Sequence, residues 1–256
     1  MGGGLTAAVP PEWVPGPRPS GALSGLPSGG WPAAGPVPPG PVPSGPPLPR
    51  DFFARPAQEV APALLGCVLR HETPDGAVAV MVTEVEAYAG AADAASHAFR
   101  GRTARTAVMF GEPGHAYVYF TYGMHFCANV VCSPPGVATG ILLRPARGRR
   151  RFDSVRSPRD LARGPARLCQ AMAINRSQDG EELLDPASKL RLRGAVGEER
   201  AAEPAQIEAG PRVGVSQAAD IPWRFWLAGD PTVSPYRRAV PRRRTSKTSV
   251  APPVPE

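Results

Sequence analysis

The run Ala77-Val78-Ala79-Val80-Met81-Val82-Thr83-Glu84-Val85-Glu86-Ala87-Tyr88 is the stretch that decides the fold. Its first six residues are apolar on both faces, which predicts a strand buried centrally in a sheet. Continued at period 2, the strand places Val78, Val80, Val82, Glu84, Glu86 and Tyr88 on one face. Two carboxylates on an otherwise apolar face must be ion-paired, solvated at a mouth or held in a cleft. A strand end emerging into solvent, with both glutamates paired to nearby arginines, satisfies this requirement. A functional cleft satisfies it too.

Outward from this strand, Asp51–Leu69 reads as a helix with Val60, Leu64 and Leu65 as its apolar stripe and Gly66 near its end. Downstream, His115–Thr121 and Phe126–Cys132 read as strands joined by a tight turn, Tyr122-Gly123-Met124-His125, and Gly140–Arg144 as a further strand. Connections this short favour antiparallel neighbours. Gly164-Pro165 opens a helix through Ile174, with proline at the first helical position, where its missing N–H costs nothing. Val213–Val215 and Trp223–Leu227 read as late strands. The sum is an α+β fold: a single domain with a mixed, mostly antiparallel curved sheet flanked by helices.

The ends of the chain differ from this middle. Of the first fifty residues 26 are Pro or Gly, with apolar residues scattered without period. Such a segment cannot bury enough surface to offset its ordering entropy, so residues 1–47 are expected to be a disordered arm. Residues 236–256 carry Arg237, Arg238, Arg242, Arg243, Arg244 and Lys247 among Pro and Ser, and read as a basic tail. Residues 48–235 are ample for one packed domain.

Charge narrows the partner. Between Arg100 and Arg167 there are twelve arginines against three acids (Glu112, Asp153 and Asp160), so this segment carries +9, more than the +7 of the whole chain. With only two lysines present (Lys189 and Lys247), genome composition explains Arg over Lys but not the clustering. A concentrated block of planar, bidentate phosphate partners favours a polyanion such as nucleic acid. The four cysteines form no CxxC pair and no histidine stands at zinc-finger spacing, so no metal or other cofactor is expected. No run of about 18 apolar residues predicts a membrane span. No basic segment followed by an apolar core marks a secretory signal. A cytoplasmic monomer, nucleoid-associated if bacterial, is expected.

Two further features stand out. Arg144 closes the apolar run Ile141-Leu142-Leu143, either as an arginine snorkelling from a strand end or as the charge partner of a carboxylate. Tyr117-Val118-Tyr119-Phe120-Thr121-Tyr122-Gly123-Met124-His125-Phe126 gathers five aromatic rings and a histidine into ten residues. Aromatic strands ordinarily fill a core. A Tyr and a Met at a glycine-containing turn, however, are placed to project, and apolar wedges are how proteins unstack base steps.

In chain order stand Glu86-Ala87-Tyr88, His97, Arg100-Gly101-Arg102-Thr103, Met109-Phe110, Pro113-Gly114, Tyr117-Val118-Tyr119, Tyr122-Gly123-Met124, Asn129, Leu142-Leu143-Arg144, Gly164-Pro165, Leu168-Cys169-Gln170-Ala171 and Arg212-Val213-Gly214-Val215. This ordered series resembles the alkyladenine (3-methyladenine) DNA glycosylase family over about Asp51 to Ser234. The resemblance implies a monofunctional DNA glycosylase of base excision repair. Such an enzyme flips an alkylated or deaminated purine from damaged duplex DNA and hydrolyses its N-glycosidic bond. It implies that Glu86 activates the attacking water and that Arg144 assists it. Tyr88, His97, Tyr119, Asn129 and the backbone at Val213 are implied to meet the base. Tyr122, with Met124, is implied to enter the stack, and Arg102 and Arg167 to meet phosphates. The chain departs from the family pattern at Thr103-Ala104-Arg105-Thr106, where T-P-R-N is frequent, and at Arg167, where lysine is common. The first departure leaves affinity and lesion preference open.

The implied chemistry is coherent. A cationic alkylpurine is a good leaving group and gains from aromatic walls. The remaining problem is making nucleophilic water beside an oxocarbenium-like sugar, as carboxylates do in sugar hydrolysis. A base at Glu86 must be ionised, which a nearby arginine favours. With no lysine near the motifs, a Schiff-base route is disfavoured. Two other classes share parts of this equipment. A non-catalytic binder of bent or damaged DNA needs the arginines and wedge without Glu86. A small-molecule N-ribosyl hydrolase needs the carboxylate and aromatics without the arginines.

Overall fold

The computed structural model describes residues 45–144, 146–149, 164–195 and 206–239. The expected N-terminal arm falls almost wholly outside these residues, and the basic tail is described only as far as Ala239. The predicted helix over Asp51–Leu69 is two short ones, α1 (Arg50–Phe53) and α2 (Ala57–Ala63). The break falls at Arg55-Pro56, because proline disfavours helical backbone in the residue before it. The stripe residues Val60, Leu64 and Leu65 are nonetheless fully buried. Val68 and Leu69 already belong to the first strand, β1 (Val68–Thr73).

The Ala77–Tyr88 run is two strands, β2 (Gly76–Val82) and β3 (Glu84–Tyr88), in different sheets. The others are β4 (Ala116–Thr121), β5 (His125–Cys132), β6 (Thr139–Leu143), β7 (Ala146–Arg149), β8 (Leu190–Arg193), β9 (Ile207–Gly210) and β10 (Arg224–Leu227). The third helix is α3 (Pro165–Met172). One sheet has the order β7-β2-β1-β8 and the other β4-β5-β6-β3-β10-β9, and every pairing among these strands is antiparallel. The α+β class holds, and β2 is an interior strand as its two-sided apolarity required; β3 is interior as well.

Thr83 is where the chain changes sheets. Its carbonyl accepts from Leu227 N–H at 3.0 Å, and its hydroxyl meets that of Thr232 at 2.8 Å. This one-residue interruption inverts the pleat. In β2 the even residues Val78, Val80 and Val82 enter the core, whereas in β3 the odd residues Val85 and Ala87 do. The expectation that Val78 through Tyr88 share one face therefore fails beyond Val82, since a shift of one residue exchanges faces. Its consequence for function is direct: Glu84, Glu86 and Tyr88 turn away from the apolar core.

Helix α2 packs on β3, β6 and β10, and α3 packs on β5 and β6. Pro165 stands at the start of α3 as expected, after Gly164 at φ +103°. Of the two late strands, Trp223–Leu227 is β10, but Val213–Val215 is a loop. The Val213 N–H is engaged by a side chain instead of a ladder, and Gly214 at φ +74° leaves the extended region. The free edge of β4 is closed by the segment following α3. Asp179 Oδ1 accepts from Val118 N–H at 2.8 Å, and Ala116 exchanges backbone bonds with Glu181 and Gly180. Capping an edge in this way holds the aromatic strand rigid and blocks further pairing.

Candidate active site

Strand β3 runs between β6 and β10, so Glu86 lies opposite Leu142 on one side and Arg224 on the other. Both glutamates are fully buried, and their partners separate their roles. Glu84 Oε1 accepts from Arg144 Nε at 2.7 Å and Arg224 Nε at 2.8 Å, and its Oε2 accepts from the Ser234 backbone N–H at 2.7 Å. It is an anchor whose acceptor sites are filled by protein. Glu86 Oε1 accepts from Val213 N–H at 2.8 Å and faces Arg144 Nη1 at 3.1 Å. Glu86 Oε2 accepts from the Tyr88 hydroxyl at 2.9 Å.

Arg144 thus bridges the two carboxylates. Burial opposes its charge, but Glu86 and then Glu84 outweigh that and push its pKa up, so it stays cationic. The reading of Arg144 as a carboxylate partner is correct in geometry, although its shorter contact is to Glu84. Burial, reinforced by the Glu86 carboxylate, holds the Tyr88 hydroxyl well above its ordinary pKa, so it remains a donor.

Tyr88, Arg144 and Val213 cover the Glu86 carboxylate and line a cavity of about 530 Å³. That cavity is ample for a purine nucleoside. His97, Tyr119 and Asn129 line it as well, with Cys127 and Tyr122. Asn129 is buried and donates to the Tyr117 carbonyl at 3.0 Å. The His97 ring stands edge-on to Tyr119, with centroids 4.5 Å apart, and its Nδ1 lies 3.1 Å from the Tyr117 hydroxyl. His97 is solvent-exposed at the cavity, and partial desolvation by the surrounding protein, followed by the Arg105 charge, lowers its pKa to about 4. Burial raises the Tyr119 hydroxyl far above its ordinary pKa.

At the rim, Tyr122 and Met124 project with 79% and 68% of their surfaces exposed. Tyr122 and Gly123 both take left-handed backbone (φ +51° and +67°), and Met124 N–H closes the turn on Thr121 O at 3.2 Å. Two successive positive φ values match the right-handed twist of a hairpin. Glycine adopts them freely, but a tyrosine does so at a cost. Arg102 and Arg167 are exposed.

Several residues at this site escaped the sequence reading. Arg212, fully buried, makes a paired contact with Asp93 at 2.5 and 2.9 Å and lies over the rings of Tyr88 at 4.6 Å and Trp223 at 5.3 Å. It ties the loop bearing His97 to the loop bearing Val213. It stood in the family series beside Val213 but without a role of its own. Cys127 was recoverable, since period 2 in β5 puts it on the Asn129 face. Among the described residues no group of three or more His, Cys, Asp or Glu side chains is placed to hold a metal ion. No helix among them is long and apolar enough to cross a membrane.

A buried carboxylate–arginine pair beside a tyrosine-walled, base-sized cavity, with an aromatic hairpin at its rim, is the equipment expected of a hydrolase acting on N-glycosyl bonds. The family model for methylpurine-DNA glycosylase (MPG) matches residues 51–231, and the chain belongs to that family. A Streptomyces avermitilis protein is 51% identical over 207 residues, covering 77% of this chain and 95% of its own length. A Leifsonia xyli subsp. xyli protein is 52% identical over 204 residues (74% and 92%), and one from Mycobacterium bovis is 47% identical over 175 (63% and 82%). Each of the three is named "Putative 3-methyladenine DNA glycosylase".

Proposed function

We propose that this chain, acting as a monomer on damaged duplex DNA, extrudes an alkylated or deaminated purine into the cavity and hydrolyses its N-glycosidic bond with a water activated by Glu86. The observation that carries this reading is the Glu86 carboxylate. It is held by Arg144, the Val213 N–H and the Tyr88 hydroxyl immediately behind a cavity walled by Tyr88, Tyr119 and His97. A carboxylate oxygen has two acceptor sites, and Oε2 receives one hydrogen bond among the described residues. The second site is where a water is aligned against the sugar carbon. Glu86, paired with Arg144, takes the proton from the attacking water, and no covalent enzyme intermediate is involved.

Tyr88 and Tyr119 sandwich the extruded base, and Asn129 crowds its edge. Tyr122, backed by Met124, occupies the gap left in the duplex, and Arg102 and Arg167 hold flanking phosphates. Extrusion costs roughly a few kcal/mol and less at a damaged pair, which favours lesions. Incubation with duplexes bearing hypoxanthine, 3-methyladenine or 7-methylguanine, followed by detection of free base and abasic sites, tests this directly. Abasic sites at one or more of these lesions, without strand cleavage, are expected. Binding without base release, or release only from free nucleosides, overturns the proposal.

A further inference from the structure

The Thr103-Ala104-Arg105-Thr106 turn is held by reciprocal threonine bonds. Thr103 N–H donates to Thr106 Oγ1 at 2.9 Å, Thr106 N–H donates to Thr103 Oγ1 at 3.2 Å, and the two hydroxyls are 3.0 Å apart. From this rigid turn Arg105 reaches over the Tyr119 ring, its guanidinium carbon 5.1 Å from the centroid. Its charge also bears on the Tyr117 hydroxyl, opposing the upward shift that burial gives it. Tyr119 lines the cavity and Arg105 does not, so the guanidinium occupies the outer side of the ring. The catalytic scheme above gives Arg105 no task.

We propose that Arg105 is a specificity residue: from the outer side of Tyr119 it narrows the pocket's advantage for a positively charged alkylpurine over a neutral purine. This rests on the glycosylase reading above. A tyrosine face attracts a stacked cation through its quadrupole, but a second cation about 9 Å away, one stacking distance beyond the ring, opposes that attraction. Arg105 is exposed, so its field is screened, and the expected penalty is about threefold.

The same residue sets the state of His97. The Tyr117 hydroxyl lies 3.1 Å from His97 Nδ1, and the Arg105 charge beside this pair disfavours a further proton on the ring. The groups facing His97 are Arg105, Tyr117 and Tyr119, while Asp93 in its own loop is neutralised by Arg212. Loss of Arg105 raises the His97 pKa from about 4, though burial, the larger cause, keeps it below the ordinary 6.5. At mildly acid pH a protonated His97 then replaces the lost cation, and nearer to the base.

The test compares release of 7-methylguanine, cationic in DNA, with release of neutral hypoxanthine from otherwise identical duplexes. Single-turnover efficiencies are measured for wild type, Arg105→Met and Arg105→Lys at neutral and mildly acid pH. In Arg105→Met the 7-methylguanine:hypoxanthine ratio is expected to rise about threefold at neutral pH and by less in acid. In Arg105→Lys it stays near wild type. Any general loss of phosphate contact cancels in the ratio. Arg105→Gln removes the same charge, and is read the same way if Arg105→Met does not fold. An unchanged or lower ratio, with both bases still released, overturns the role of Arg105 and leaves the glycosylase reading intact. Absence of release of either base by the wild type removes the reading beneath it.

Discussion

Glu84→Gln is a substitution whose effect can be worked from the contacts. The Glu84 carboxylate is fully buried and holds two buried arginines, Arg144 at 2.7 Å and Arg224 at 2.8 Å, together with the Ser234 backbone N–H at 2.7 Å. Glutamine keeps the shape but removes the charge, and it turns one amide N–H₂ toward groups that are themselves donors. Removing one partner of a buried ion pair costs about 3–5 kcal/mol, because the remaining charge is left uncompensated. For a domain of this size each kcal/mol lowers Tm by about 2–4 °C, so a fall of roughly 10 °C is expected in calorimetry. The urea midpoint should fall with an unchanged slope, since the surface exposed on unfolding is the same. A Tm within about 2 °C of wild type would show that Glu84 is not the anchor described, and that Arg144 is positioned by Glu86 alone.

Tyr122→Gly separates stability from binding. Glycine relieves the left-handed strain at φ +51°, worth about 1 kcal/mol, and loses a similar amount in chain entropy, while a side chain 79% exposed sacrifices little packing. Tm is expected to stay within a few degrees, while affinity for lesion duplex falls more than affinity for single strands; equal losses on both contradict a wedge. For His97, NMR titration is expected to give a midpoint of about 4 against the ordinary 6.5. Above 6.5 folded and unfolded chains both hold it neutral. Between 6.5 and 4 the unfolded chain binds a proton that the fold refuses, so stability drops as pH falls through that window. A midpoint near 6.5 contradicts the desolvation assigned to this ring.

The candidate site entered the sequence reading mainly through the family resemblance, whereas local periodicity by itself singled out the paired carboxylates and the projecting turn. Glu86 and Tyr88 alternate along one strand, Tyr119 and Asn129 project from paired strands, and Tyr122-Gly123 carries a turn signature. The sheet change at Thr83 was not legible, because two buried strands joined by one residue have the composition of a single longer strand. That change decides which face Glu86 takes. The helix break at Pro56 was marked by the proline, but the apolar stripe continued across it. The Asp93–Arg212 pair joins residues 119 apart, and the Glu84–Arg224 pair joins residues 140 apart. No local period reports contacts of that range. Val213 stood in a run that resembled a strand, yet its N–H serves Glu86.

The most direct test of the central claim is Glu86→Gln under single-turnover conditions on a lesion duplex, with binding measured in parallel. The substitution keeps the shape of the side chain but removes the group that would take the proton from water. Release of free base is expected to fall by about 10²- to 10⁴-fold while affinity for the damaged duplex stays close to wild type. Release within a few-fold of wild type would show that the carboxylate held by Arg144, Tyr88 and Val213 is not the base.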